Sequence, residues 1–240
     1  MPFLSLQNIH KSFGGVAAVD GVDLDLAAGE LRALVGPNGC GKSTLFNLIT
    51  GSLTLDAGRI FLDGTDLGGR APHRIARLGV GRKFQVPSVF GDLTVAENLA
   101  LAKAAGDRWG SGAQSKSDLA DRVNLVDESG ALASALSHGQ RQWLEIGMVL
   151  AARPRLMLLD EPTAGMTAFE TAATVDLIRS MAGQNGATIL VIEHDTGFLE
   201  RLNCQITVMA KGKVLATGTY QEIHDDPEVR ALYFGNSPDA

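Results

Sequence analysis

Apolar residues recur at every second position near the start of the chain, in FLSLQNI and again in VDLDLAAGE. That is the period of half-buried β-strands. The pattern then changes. ELRALVG (30–36) is a more continuous apolar strand, and KSTLFNLIT (42–50) reads as a helix closed by Gly51 as a C-terminal cap. GRIFLDG is a further strand running into a turn. In LTVAENLALAKAA, Thr94 with Glu97 three residues on is the capping-box signature of a helix start. AGDRWGSGAQSKSD (105–118) is rich in Gly and Ser and reads as a mobile loop. From there to about residue 152 every pattern is helical. LMLLD and TILVIE are continuous apolar runs typical of buried parallel strands, and ITVMAKGKVLATG reads as a hairpin around Lys211-Gly212. No internal repeat and no coiled-coil heptad run is visible. The predicted architecture is a single α/β domain. Its core comes from both ends of the chain, 1–85 and 153–240, with a helical subdomain at 86–152 inserted between them.

Composition narrows the class. The chain has 240 residues, 45% of them hydrophobic and 20% charged, as an ordinary globular protein would. Its net charge of -6 argues against a protein whose main task is gripping nucleic-acid phosphates. Two cysteines, Cys40 and Cys204, are too few for a disulfide framework, so a cytosolic protein with reduced thiols is expected. MPFLSLQNIHKSF has no apolar run of signal-peptide length, and nowhere do 18 apolar residues run together.

The first candidate chemistry is GPNGCGKST (36–44), which fits G-x-x-x-x-G-K-[ST] between a predicted strand and a predicted helix. Gly36, Gly39 and Gly41, with Pro37, Asn38 and Cys40, form a loop whose backbone N–H groups can face one anion, helped by the potential of the helix N-terminus. Lys42 can reach the β- and γ-phosphates of a nucleotide, the Ser43 hydroxyl can ligate Mg²⁺, and Thr44 can support a phosphate oxygen. The alternative is a Gly-rich turn that merely caps a helix. Cys40 among these amides reads as a tolerated small residue, with a thiol switch as the alternative.

LMLLDE (156–161) ends a strand in two acids. Asp160, beside a phosphate loop, can hold Mg²⁺ directly or through water. Glu161 can polarise a water for in-line attack on the γ-phosphate. TILVIEHD repeats the device and ends in His194. A lone histidine is usually structural, but after a parallel strand in a phosphate-loop protein it can bond the γ-phosphate and orient the water. Gln85, in GRKFQVPSVF, lies where core and helical subdomain join. Its neutral amide can ligate Mg²⁺ or the water, although from the residues alone a surface glutamine is the simpler reading.

LSHGQRQWLEIGMVL (136–150) opens with Ser137 and Gln140 at capping-box spacing, and Trp143, Ile146 and Leu150 mark a buried face. The cap suffices for folding. The same amides, with the Ser137 hydroxyl and Gly139, also make an anion site that would suit the γ-phosphate of a nucleotide held by another copy.

GPNGCGKST, Gln85, LSHGQ, LMLLDEPTAG and His194 come in the order and approximate spacing of ATP-binding-cassette (ABC) ATPases, and the resemblance covers essentially the whole chain. No one of the five motifs is specific; together they are. The resemblance implies a P-loop NTPase fold: a RecA-like α/β core, an antiparallel β subdomain and the inserted helical subdomain. It implies ATP and Mg²⁺ as ligands, with the metal at Ser43, Gln85 and Asp160 and an adenine-stacking aromatic at Phe13. It also implies a head-to-tail dimer with a paralogue or with itself. In that dimer Ser137, His138, Gly139 and Gln140 form the signature that reaches the partner's ATP. Two integral membrane permease subunits, an extracytoplasmic solute-binding protein acting indirectly, no nucleic acid, and a place on the inner face of the plasma membrane follow from the same resemblance. Two positions depart from the family pattern: His138 stands where Gly is usual, and Thr167 where Asp is usual. GRKFQVPSVF, LSHGQRQWLEIGM and EPTAGMT resemble branched-chain amino-acid-type importers, most of all their urea-type branch. The other classes are an exporter ATPase and a soluble ABC ATPase acting on DNA or ribosomes. Members of the soluble class generally carry two cassettes or a long coiled coil, which this chain lacks.

Overall fold

The computed structural model describes residues 1–83, 88–107, 116–183 and 186–234. Two sheets organise it. Strands β1 (Leu4–Phe13), β2 (Val16–Leu26), β4 (Ala57–Leu62) and β5 (Thr65–Asp66) form an antiparallel sheet in the order β2-β1-β4-β5. Strands β3 (Leu31–Val35), β6 (Val80–Lys83), β7 (Leu156–Asp160), β8 (Thr188–Ile192), β9 (Gln205–Ala210) and β10 (Lys213–Gly218) form the second, in the order β10-β9-β3-β8-β7-β6. All neighbours in this second sheet are parallel except β9 and β10, which are joined as a hairpin. That hairpin turns at Lys211 and Gly212, both with positive φ, the conformation a tight two-residue turn requires.

The continuous apolar runs have a simple cause. The central strands are covered on both faces, and alternate residues of one strand enter different cores. Met157, Leu159, Ile189, Val191, Ile206 and Val208 pack with the helices α3 (Val95–Asp107), α5 (His138–Ala151), α6 (Ala168–Met181) and α7 (Thr196–Leu202). Leu156, Leu158, Leu190, Ile192 and Met209 face the other way. They bury α1 (Lys42–Ile49) through Leu45, Phe46 and Ile49, and meet Leu4, Leu6, Val22 and Ile60 of the antiparallel sheet. The short helix α2 (Pro72–Arg77) leads into β6, α4 (Lys116–Arg122) packs beside α3 and α5, and α8 (Tyr220–Asp225) with α9 (Pro227–Phe234) closes the chain.

Gly51, with φ of 71°, ends α1 as expected, and Thr94 and Glu97 form the capping box of α3. One expectation is corrected. The stretch 105–118 is not loop at its ends, because α3 continues through Asp107 and α4 begins at Lys116. Gly106 carries the helix that far because a side chain there would collide with the backbone of Ala151 and Ala152, so close approach outweighs its poor helix propensity. Among the described residues no helix is long and apolar enough to cross a membrane.

Candidate nucleotide site

Three neighbouring parallel strands, β3, β8 and β7, deliver the candidate residues to one edge of the sheet. β3 runs into the loop 36–41, β7 ends at Asp160 with Glu161 next, and β8 is followed by Glu193 and His194. The carboxyl end of a parallel sheet is where open α/β folds bind ligands.

The loop after β3 wraps onto the start of α1. Gly41 is the N-cap of this helix in a left-handed conformation, φ 109°, and a methyl there would run into the Ala18 carbonyl of β2. Only glycine fits. The Lys42 ammonium donates to the carbonyls of Gly36 (2.7 Å) and Pro37 (3.0 Å), so the loop curls around it. Cys40 is buried, with its Sγ 3.9 Å from the same nitrogen. Asn38, Gly39 and Ser43 are exposed at the rim, and Thr44 is half-buried. Phe13, at the end of β1, is 45% exposed. Lys11 lies 5.5 Å from its ring centroid and is itself held by Asp56 at 2.6 Å. A ring so placed can stack on a base.

Asp160 is only 5% exposed. Burial pushes its carboxyl above the usual aspartate range, and the Arg82 guanidinium, 3.2 Å away, works against that rise. Arg82 is fixed in turn by Asn47 of α1 at 2.6 Å and lies over the Phe46 ring. Glu161 turns sharply out of the strand with φ of 45°, a conformation uncommon outside glycine and costly to hold. Its N–H still bonds the Ile192 carbonyl of β8 at 3.0 Å. Glu161 Oε1 stands 3.7 Å from His194 Nδ1, so the second acid and the histidine do meet. The imidazole is 64% exposed and free to reach outward.

One residue at this edge was not singled out in the sequence. Glu193 is 2% exposed and accepts from the Thr163 N–H (3.0 Å), the Thr163 hydroxyl (2.6 Å) and the His194 N–H (3.2 Å). It clamps the loop behind Glu161 to the backbone that carries His194. The acid in TILVIEHD was the available signal. Arg82 carried none, because its partner Asp160 is 78 positions away and only the β6–β7 register brings them together.

Ser137 caps α5, and both halves of the capping box form with Gln140. The Gln140 amide is used at both ends, since its nitrogen donates to Glu128 at 2.7 Å. Trp143, Ile146 and Leu150 are buried as their spacing predicted. The two departures from the family pattern have structural explanations. Thr167 caps α6 in a further capping box with Glu170, a role Thr fills as Asp does. His138 donates to the Ala164 carbonyl at 3.0 Å. Gln85 lies outside the described residues.

A phosphate loop capping a helix at the carboxyl edge of a parallel sheet, with a buried aspartate on the strand two places over, defines a P-loop NTPase. Within that class the chain belongs to the ABC transporter family, whose model matches residues 19–164. It is 34% identical to the high-affinity branched-chain amino acid transport ATP-binding protein BraF of Pseudomonas aeruginosa, over 98% of this chain and 99% of that protein. The corresponding protein LivG of Salmonella typhimurium is 36% identical with the same coverage. A nucleotide-free ATP-binding cassette from an ABC transporter superposes with a TM-score of 0.86 at 29% identity, covering 98% of this chain and all of that one. The chain is therefore an ATPase subunit that couples nucleotide hydrolysis to transport.

Proposed function

We propose that this chain is the ATP-hydrolysing subunit of an importer for a small polar solute: a branched-chain amino acid, or a related compound such as urea or an amide. The observation that carries the catalytic part is the meeting of Glu161 and His194 at the strand edge that holds the phosphate loop. ATP lies with its base on Phe13 and its phosphates in the amides of 36–44. Lys42 exchanges its loop carbonyls for β- and γ-phosphate oxygens. Glu161 takes the proton of the attacking water, and the exposed imidazole of His194 bonds the γ-phosphate.

Mg²⁺ suits the donor set. No group of three or more His, Cys, Asp or Glu side chains able to cage a metal occurs among the described residues. Mg²⁺ binds through one or two carboxylates plus substrate phosphates, whereas a structural zinc needs such a cage. Ser43, Asp160 and Gln85 would hold it, and it would neutralise charge developing on the phosphates.

The signature turn, Ser137, His138, Gly139 and Gln140, faces the ATP of a second ABC ATPase in a head-to-tail dimer. Two permease subunits in the membrane bind this pair from the cytoplasmic side, and a solute-binding protein outside chooses the solute. Within the chain, 1–85 with 153–240 acts as the nucleotide core, and 86–152 as the part that moves with the permease. The identity to branched-chain amino acid transport proteins along nearly the full length supports this assignment.

Affinity purification of the tagged chain from detergent-solubilised membranes tests it. Two polytopic membrane proteins and a second cassette are expected. Ribosomes or DNA-repair proteins, with no membrane partner, would overturn the transport role and leave the ATPase standing.

A further inference from the structure

The signature turn and the loop behind Glu161 are joined in the same chain. His138 is the first residue of α5, and its Nε2 lies 3.0 Å from the Ala164 carbonyl oxygen. A carbonyl only accepts, so Nε2 must carry the proton. The imidazole also lies against Gly165, where a methyl would stand 3.2 Å from the ring. Ala164 in turn donates its N–H to the Glu161 carbonyl at 3.3 Å. Two steps therefore lead from the signature turn to the backbone of the second acid.

The surroundings make this link stiff. Gln142, one helical turn beyond His138 and fully buried, brings its amide to 3.3 Å from the same imidazole nitrogen, and its Oε1 has no partner among the described residues. Two donors cannot satisfy each other. With the amide turned about its last bond, Oε1 would face the imidazole proton as an acceptor, and the amide nitrogen would take its former place. Glu170, held at 2.8 Å by both the N–H and the hydroxyl of Thr167, packs its carboxylate against Gly139, so a side chain at that position would have to displace it. Trp143 Nε1 donates to Thr174 Oγ1 at 2.9 Å, a buried bond between α5 and α6. The far end of the 161–167 loop is thus locked to α5, and the Glu193 clamp locks its near end.

We propose that His138 is a positioning residue for hydrolysis: its Nε2–H bond to the Ala164 carbonyl ties the signature turn to the loop directly behind Glu161, so the placement of that acid follows the signature turn of its own chain. The inference rests on the role given to Glu161 above. In the dimer the signature turn contacts the neighbouring nucleotide, so His138 links occupancy of that site to the geometry of Glu161. A glycine at position 138 could supply no such bond.

The test uses the transporter complex purified through this chain, with His138→Phe (ring kept, donor lost) and His138→Gln (donor kept). Losing one positioning hydrogen bond should lower kcat about tenfold in His138→Phe, with KM for ATP changed less than about twofold and restoration to roughly half of kcat in His138→Gln. Unchanged kcat, a change in KM alone, or equal losses in both variants would overturn the proposal. In a Glu161→Gln background, His138→Phe should change the residual rate by less than about twofold, as expected of two residues acting as a unit. A further tenfold or so lost there would place His138 on another path. A normal rate in Glu161→Gln alone would instead remove the role of that acid, a failure distinct from a silent His138→Phe. Nitrogen-15 NMR of the histidines in the full chain, assigned by the signal missing in His138→Gln, checks the bond without perturbing it. Nε2–H is expected, and the Nδ1–H tautomer would overturn it.

Discussion

Asp160 has two requirements that pull against each other. Burial favours its neutral form, while the proposed hold on Mg²⁺ needs the carboxylate, and Arg82 only partly offsets the burial. The sign of the pH effect follows. Its folded pKa is raised, so between that value and the ordinary 3.8 the folded state holds a proton that the unfolded state has released. In that window falling pH favours the fold through this group and disfavours metal binding. Nucleotide-dependent Mg²⁺ affinity should thus fall, on acidification, before thermal stability does; titration calorimetry beside thermal melts reads both. Replacing Arg82 by Met should move the loss of metal affinity to higher pH. Gly41 makes the other sharp prediction. Because a methyl would strike the Ala18 carbonyl, Gly41→Ala should weaken ATP binding by more than about tenfold, since strain at this cap displaces the anion-binding amides.

The capping boxes show how much of each element could be read in advance. Ser137 with Gln140 and Thr94 with Glu97 were legible because a cap is local, three residues from partner to partner. The continuous runs of β7 and β8 were legible because strands covered on both faces carry apolar residues throughout. What could not be read depended on register. Arg82 meets Asp160, and Glu193 meets Thr163, only once β6, β7 and β8 lie side by side. His138 carried no sequence sign of its bond to Ala164, 26 positions away. The start of the 105–118 stretch was misread because packing against Ala151 and Ala152 overrode the Gly signal at Gly106. Thr167→Ala removes the cap that also holds Glu170 against Gly139, and should cost about 1 kcal/mol in chemical denaturation. A cost near zero would mean that Glu170 is held by other contacts.

Strand β6 and helix α5 meet at a buried charge. Lys83, the last residue of β6, is fully buried, with its ammonium 3.7 Å from Glu145 of α5. Burial pushes the lysine below its ordinary range, with Glu145 the largest opposing influence. Glu145 also accepts from the Ser88 N–H at 3.2 Å, so it holds both flanks of the segment that contains Gln85. Removing one member of a buried pair is far more damaging than replacing both. Glu145→Leu should destabilise by about 3–5 kcal/mol, while Lys83→Met with Glu145→Leu should recover most of it. Urea unfolding of the two variants checks this. If the double variant still assembled into the transporter complex yet turned over ATP without transport, the pair would be a coupling element as well as a packing one.

The contacts at the strand edge converge on Glu161, which β7 delivers, Glu193 and His138 brace, and His194 meets. The most direct measurement is therefore ATP turnover and bound nucleotide in the transporter complex carrying Glu161→Gln. A positioned general base contributes on the order of a hundredfold or more, so turnover should fall by at least that factor while extracted nucleotide remains ATP. Turnover within about twofold of the unaltered complex, with ADP extracted, would contradict the role given to this acid.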